Sequence, residues 1–199
     1  LGCVSAAFTA ARILDLDTGR AIDAVALTAN TASGLQEWGH SGATEQFYEG
    51  ANAARAATLA ALLAEEGVDG SKSIIEGQSG FFAAFGDRSK ASELLRRSSP
   101  QWEIELTDIK RVAACTFVQA GVLAAEKFVA DHEFEIDDIE RVEVETYDAA
   151  LNCPGVDNAV SVDGLLAARM SMQHSVASVL VRRGVSDENF LDYGNSVVQ

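Results

Sequence analysis

Small apolar residues, alanine above all, dominate the first 66 positions, and polar residues interrupt them at helical intervals. Residues 3–14 (Cys-Val-Ser-Ala-Ala-Phe-Thr-Ala-Ala-Arg-Ile-Leu) predict a helix ending near Asp15. Thr18 or Asp17 is placed to cap a second helix, about 20–33, closed by Gly34. Between 35 and 50 the pattern breaks, and Gly39, Gly42 and Gly50 among polar residues mark a loop. An Ala/Leu helix is expected over 51–66, stopped by Gly67. Ser71 should cap a short helix through Ile75, Phe81 to Phe85 a tight apolar turn, and 89–97 a polar, basic helix. Side chains this small let helices approach closely, so the first part is expected to be a packed helical layer. A coiled coil is excluded because no heptad with flanking charges persists.

After Pro100 the pattern changes. Trp102-Glu-Ile-Glu-Leu106 alternates and predicts a short strand. An extended lead-in carrying Lys110 and Arg111 then passes Cys115 into an apolar helix over 116–131, with Thr116 as the expected N-cap. Residues 139–147 (Ile-Glu-Arg-Val-Glu-Val-Glu-Thr-Tyr) alternate apolar and charged at period two, a strand pattern. Asn152-Cys-Pro-Gly is a turn, 164–183 returns to helix up to Gly184, and Ser186 should cap a last short helix. The fold class expected from this order is α+β: a mainly helical domain with a smaller α+β lid. The boundaries are 1–99 for a partial helical domain, 100–163 for the lid, and 164–199 for helices that close the lid or return to the helical domain.

Composition narrows the function. The 199 residues are 48% hydrophobic with 2 Pro, so the chain folds and is not a disordered one. A formal charge of -15, from 30 acidic and 15 basic residues, argues against nucleic-acid and anionic-membrane partners. No apolar run approaches the roughly 20 residues of a membrane span. Cys3, Cys115 and Cys153 are odd in number and lack metal-ligand spacing, which points to a reduced, cytoplasmic setting. No His/Asp/Glu cluster has metal spacing, and neither a phosphate loop nor a nucleophile elbow is present. A start at Leu1, without Met and directly in an apolar pattern, is read as a missing upstream part.

Candidate chemistry gathers in two places. Lys110 can anchor a substrate carboxylate or donate a proton if burial lowers its pKa; the plain alternative is a solvated lysine. Arg111 should point to the opposite side of an extended lead-in. Cys115, just before a helix start, is either an acid/base group or a small buried hydrophobe. The 39–50 loop offers His40, Glu45, Gln46 and Tyr48: Glu45 or His40 to abstract a proton, Tyr48 to return one, Gln46 and His40 to hold substrate. The alternative is an ordinary polar loop. His132 reads as surface and His174 as structural.

Several ordered segments resemble one family. Residues 2–16 look like the Gly-x-x-x-Ala-Ala helix of the MmgE/PrpD family. Tyr48-Glu-Gly50 with Ala53-Ala54-Arg55 resembles its His-x-Gly-x-Ala-Ala stretch, and Ile75-Glu-Gly77-Gln-Ser-Gly80-Phe its Leu-Glu-Gly-x-x-Gly-Phe segment. Lys110-Arg111 with Cys115 resembles its Lys-x-x-x-x-His/Cys junction, and Ala168-Arg-Met-Ser171-Met-Gln its serine-containing helix. The resemblance spans about 2–190. It implies a helical domain with an α+β lid, a homodimer, and chemistry without a cofactor at the carbon next to a carboxylate of a small di- or tricarboxylate. Members include 2-methylcitrate dehydratase, cis-aconitate decarboxylase and iminodisuccinate epimerase. Glu45 or Gln46 stands where the decarboxylases have a Lys, and Cys115 where they have a His, so dehydration is the first expectation, epimerisation the next and decarboxylation the last. The resemblance also implies an upstream helical segment, with an Asp- and His-bearing loop, that this chain lacks. A non-catalytic fragment or dimerisation module is therefore a further reading.

Overall fold

The computed structural model describes residues 2–87, 89, 101–158, 162–195 and 197–198. The chain divides into two compact units, one of residues 1–34 and 47–107, the other of 35–46 and 108–199. Among the described residues the regular structure is helical, with no strand. None of these helices is long and apolar enough to cross a membrane.

In the first unit, α1 (Gly2–Ile13) and α2 (Thr18–Ala29) form a hairpin. Asp15 takes the left-handed conformation at the bend, and the Asp17 carboxylate caps α2 by accepting from the Arg20 N–H at 2.9 Å. α2 stops at Ala29, earlier than its apolar run suggests, with Asn30 as C-cap. The core is Ala11, Ala24, Ala61 and Ala64, all fully buried. Methyl-sized contacts leave the backbones close enough for Arg20 to donate across to the Ala64 carbonyl at 2.6 Å. The expected helix from Ser71 to Ile75 is instead a series of turns, because Phe81 N–H returns to the Ile74 carbonyl (2.7 Å) and Phe82 N–H to that of Ile75 (3.1 Å). The apolar turn at 81–85 is a short helix. The basic helix expected at 89–97 falls almost wholly outside the described residues. The run at 102–106 is a turn of 3-10 helix, Glu103–Leu106, and not a strand.

The division falls in the first turn of the long helix at 45–65. The predicted 39–50 loop is mostly helical: α3 (Glu37–Ser41) ends at left-handed Gly42, and α4 (Glu45–Glu65) begins six residues before the expected start. α5 is Phe81–Phe85.

The second unit is built on α6 (Gln119–Asp131) packed against α9 (Met172–Arg182). Gly121 sits over Met172, and a Cβ there would come 2.5 Å from its sulfur, so any larger residue would displace the end of the Met172 side chain. Around this crossing Val118, Val122, Val156, Val179 and Phe190 are essentially fully buried. The helix expected over 164–183 is two, α8 (Leu165–Met170) and α9, broken at Ser171. Ser171 adopts extended backbone and caps α9 by accepting from His174 N–H at 3.0 Å, while Met172 N–H is drawn to the Val156 carbonyl at 2.8 Å. α7 (Asp148–Leu151) and α10 (Glu188–Leu191) are single turns.

Residues 139–147, the clearest strand pattern, run without regular structure, and among the described residues 140–146 form no backbone–backbone hydrogen bond. A strand exists only when another backbone completes its ladder. The other alternating run lies in the first unit as 3-10 helix, and among the described residues of the second unit none pairs with this run. The alternation is nevertheless used: Val142 and Val144 line two apolar cavities, of about 480 and 590 Å3, together with Val176 and Leu180 of α9.

Candidate functional site

The junction that the sequence singled out is organised by Gln119, on the first turn of α6. Its side-chain amide donates to the carbonyls of Val112 (3.0 Å), Ala114 (3.2 Å) and Cys115 (3.4 Å), and its oxygen accepts from Val112 N–H at 3.2 Å. Ala114 N–H also closes a tight turn on the Val112 carbonyl at 2.8 Å. The lead-in is thus a clasped bend and not an extended strand. Cys115, rather than Thr116, precedes the 3-10 turn Thr116–Val118 that opens the helix, with no side-chain cap. Its N–H donates to the Arg169 carbonyl at 2.8 Å, which ties the junction to α8.

On this bend Lys110 is exposed and folds back so that Nζ donates to the Ala114 carbonyl at 3.3 Å. Arg111 leaves in another direction and pairs with Glu126 of α6 at 3.3 Å. Lys127, Arg141 and Arg182 also pair with carboxylates, and Arg183 lies over the Phe134 ring. Among the described residues, Lys110 and Arg169 form no ion pair. Arg169 is half-buried, and its Nε is buried without a partner among the described residues. Both belong to the second unit, and the Arg169 backbone reaches the junction through its carbonyl.

A polar pocket of about 340 Å3 lies beside α3 in the same unit. It is lined by His40, Ser41 and Gly42 on one side and by Asn158, Asp163 and Gly164 on the other. α3 is seated on the 153–155 turn: a Cβ on Gly39 would come 2.5 Å from that of Pro154, and Gly155 (φ 82°) abuts the Gly39 carbonyl. Ser171 links the pocket wall to α9, donating to the Asn158 carbonyl at 2.7 Å.

Cys115 lies at the junction and Cys153 in the turn beneath α3. Both are half-buried against the same core, and the Cys153 thiol points to the Pro154 carbonyl at 4.0 Å. Burial pushes the Cys153 thiol up, and the neighbouring Cys115 adds to this. Near them the Phe117 and Tyr147 rings meet edge-on, 6.0 Å between centroids.

Both halves of the chain match family models, the MmgE/PrpD N-terminal domain over residues 1–94 and the MmgE/PrpD C-terminal domain over 112–193. The chain belongs to the MmgE/PrpD family. No curated protein matches it. The MmgE/PrpD family includes dehydratases and related enzymes.

Seen as an MmgE/PrpD chain, the sequence candidates distribute unevenly. Lys110, Cys115, His40, Glu45 and Gln46 belong to the second unit; Tyr48, 62% exposed on α4, belongs to the first. Among the described residues, no hydrogen bond or ion pair joins any two of those five. Glu45 is exposed and Gln46 half-buried on the first turn of α4. His132 is exposed and stacks on Phe128. His174 is buried and structural, with Nε2 3.1 Å from the Asn189 carbonyl. No group of three or more His, Cys, Asp or Glu among the described residues could hold a metal ion. Sequence reading missed Gln119, Arg169 and Asp163. The first two carried a faint signal, each a polar residue set inside an otherwise apolar helical run.

Proposed function

We propose that this MmgE/PrpD chain acts without a cofactor as a lyase or isomerase next to a carboxylate of a small di- or tricarboxylate, in the manner of a 2-methylcitrate dehydratase. The observation that carries the reading is the pair of cations, Lys110 and Arg169, left without carboxylates at a junction held by the Cys115–Arg169 backbone hydrogen bond. Removing a proton beside a carboxylate spreads negative charge over that carboxylate's oxygens. Fixed cations lower the cost of this charge more than mobile water does. Lys110 is the residue we assign to it, with Arg169 behind it.

Proton removal falls to His40 or Glu45. Gln46 and His40 are the candidates for orienting the substrate. Loss of the neighbouring hydroxyl as water then gives the dehydratase, and return of the proton to the opposite face gives an epimerase of an iminodisuccinate-type acid. Cys115 is a candidate acid/base group at the junction. A homodimer is part of the reading, and the exposed Trp102, Ile104 and Leu106 give it an apolar surface to cover.

The test is incubation of the chain in D2O with 2-methylcitrate, citrate and iminodisuccinate, following the α-carbon by NMR. Deuterium incorporation or loss of water from one of these is expected. Lys110→Ala should lower kcat/KM on the order of 10²-fold or more while leaving the circular dichroism unchanged. Turnover unaffected by Lys110→Ala removes that residue from the site. Silence with every acid leaves the non-catalytic module as the reading.

A further inference from the structure

We propose that the first unit carries a binding cleft for a fatty acid, with Arg12 and Lys72 taking its carboxylate and the α1–α2 hairpin its hydrocarbon tail. The fully buried core of this unit is alanine, and larger apolar side chains line an open cleft of about 320 Å3 instead. Phe8 and Arg12, four residues apart, share one face of α1 and form one wall. Ile22 and Val25 of α2 form a second wall, and Ile74 and Ile75 of the turn region a third side. Phe8 and Ile22 are 57% and 38% exposed, so the cleft stands open to solvent. Its third side is fastened to the hairpin. Gly70 N–H donates to the Asp23 carboxylate at 3.0 Å, and a Cβ on Gly70 would come 2.5 Å from that of Ala26, which seats the chain entering the turns directly on α2. Further along, the Phe81 and Phe82 N–H groups donate to the carbonyls of Ile74 (2.7 Å) and Ile75 (3.1 Å). Lys72, Ile74 and Ile75 are thereby held in place between two anchored points.

Charge selects the occupant. The chain has 30 acidic against 15 basic residues, yet among the described residues no acidic side chain lines this cleft, while Arg12 and Lys72 both do. Neither cation forms an ion pair among the described residues. Two cations beside an apolar trough match a carboxylate joined to a hydrocarbon tail. The cations hold the head, and the tail takes Phe8, Ile22, Ile74 and Ile75 out of water. A small di- or tricarboxylate lacks the tail, and a neutral alcohol lacks the head. The volume lies at the low end of the roughly 300–1,000 Å3 of small-molecule pockets, which suits a tail of medium length. The cleft lies wholly within the first unit, and its occupant does not depend on which acid the protein acts upon.

The experiment titrates the whole chain by calorimetry with sodium decanoate below its micelle concentration, beside hexanoate, octanoate, decanol and citrate. Saturable binding of decanoate is expected, tightening roughly threefold to fourfold for each methylene gained from hexanoate onward. Arg12→Gln and Lys72→Gln should each weaken it by about tenfold. Ile22→Ser should weaken decanoate more than hexanoate. All three side chains are exposed, so circular dichroism should stay unchanged. Decanol binding as tightly as decanoate overturns the proposal, as does an affinity independent of tail length. So does citrate competing on equal terms, or no saturable binding. Sedimentation supplies the remaining outcome: a dimer dispersed by Ile22→Ser, yet left intact by decanoate, gives the cleft to a second copy of the chain and overturns the fatty-acid assignment.

Discussion

The two units bury their helices with different materials. In the first, the core residues Ala11, Ala24, Ala61 and Ala64 bring backbones together. Its one buried polar side chain among the described residues, Thr28, is satisfied by its own helix at the Ala24 carbonyl, 2.9 Å away. In the second, larger side chains leave gaps, and polar groups are buried with them: Ser171, His174, Ser175, Ser178 and Asn189. Asn189 is the knot. Its carbonyl receives Ser178 Oγ and His174 Nε2 (3.1 Å each), its side-chain oxygen receives Ser186 N–H at 2.6 Å, and its amide reaches the Gly184 carbonyl at 3.1 Å. The first arrangement tolerates no added volume. The second has room and holds its shape partly by directional bonds, which is the kind of region that can carry cations and thiols without collapsing around them.

This contrast can be broken at three points. The largest stability effect is expected from Phe190→Ala, since Phe190 is 1% exposed in the larger-residue core. Removing it should cost about 3–5 kcal/mol by denaturant unfolding. Next, Ala61→Leu adds volume where none is free, at a cost of about 1–3 kcal/mol. Amide exchange should place that loss in α1, α2 and α4 beyond Gln46. Equal loss of protection in α9 would show that the two units do not melt separately.

The smallest effect concerns His174. Burial holds its imidazole below the usual range, and the Arg182 guanidinium adds to this against the Asn189 hydrogen bond. Because the folded value is lower than the unfolded one, the unfolded chain takes up a proton as pH falls below about 6.5 while the native state resists it. Stability should therefore fall on acidification from that point and level off below the native value. His174→Gln should flatten that part of the profile in unfolding titrations from pH 7.5 to 5. A profile identical to that of the unsubstituted protein would mean His174 does not titrate differently on folding.

Local sequence fixed whatever depends on near neighbours. The Asp17 cap, the Gly67 stop, the helix over 116–131 and the structural reading of His174 were all legible, since caps, periodicity and apolar runs act within a turn or two. Lys110 and Cys115 were legible as candidates, although not what each would touch. What only the tertiary structure decided needed a second, distant segment. Residues 139–147 carry a strand's alternation, yet a strand requires another backbone to bond to, and none is supplied among the described residues of that unit. The 164–183 run broke at Ser171 because the Asn158 and Val156 carbonyls compete for its hydroxyl and for the next N–H. Arg169 became notable only when its unpaired Nε and its backbone bond to Cys115 were seen together. The meeting of the Phe117 and Tyr147 rings lies beyond any local pattern, because the chain between them must fold before two rings can meet.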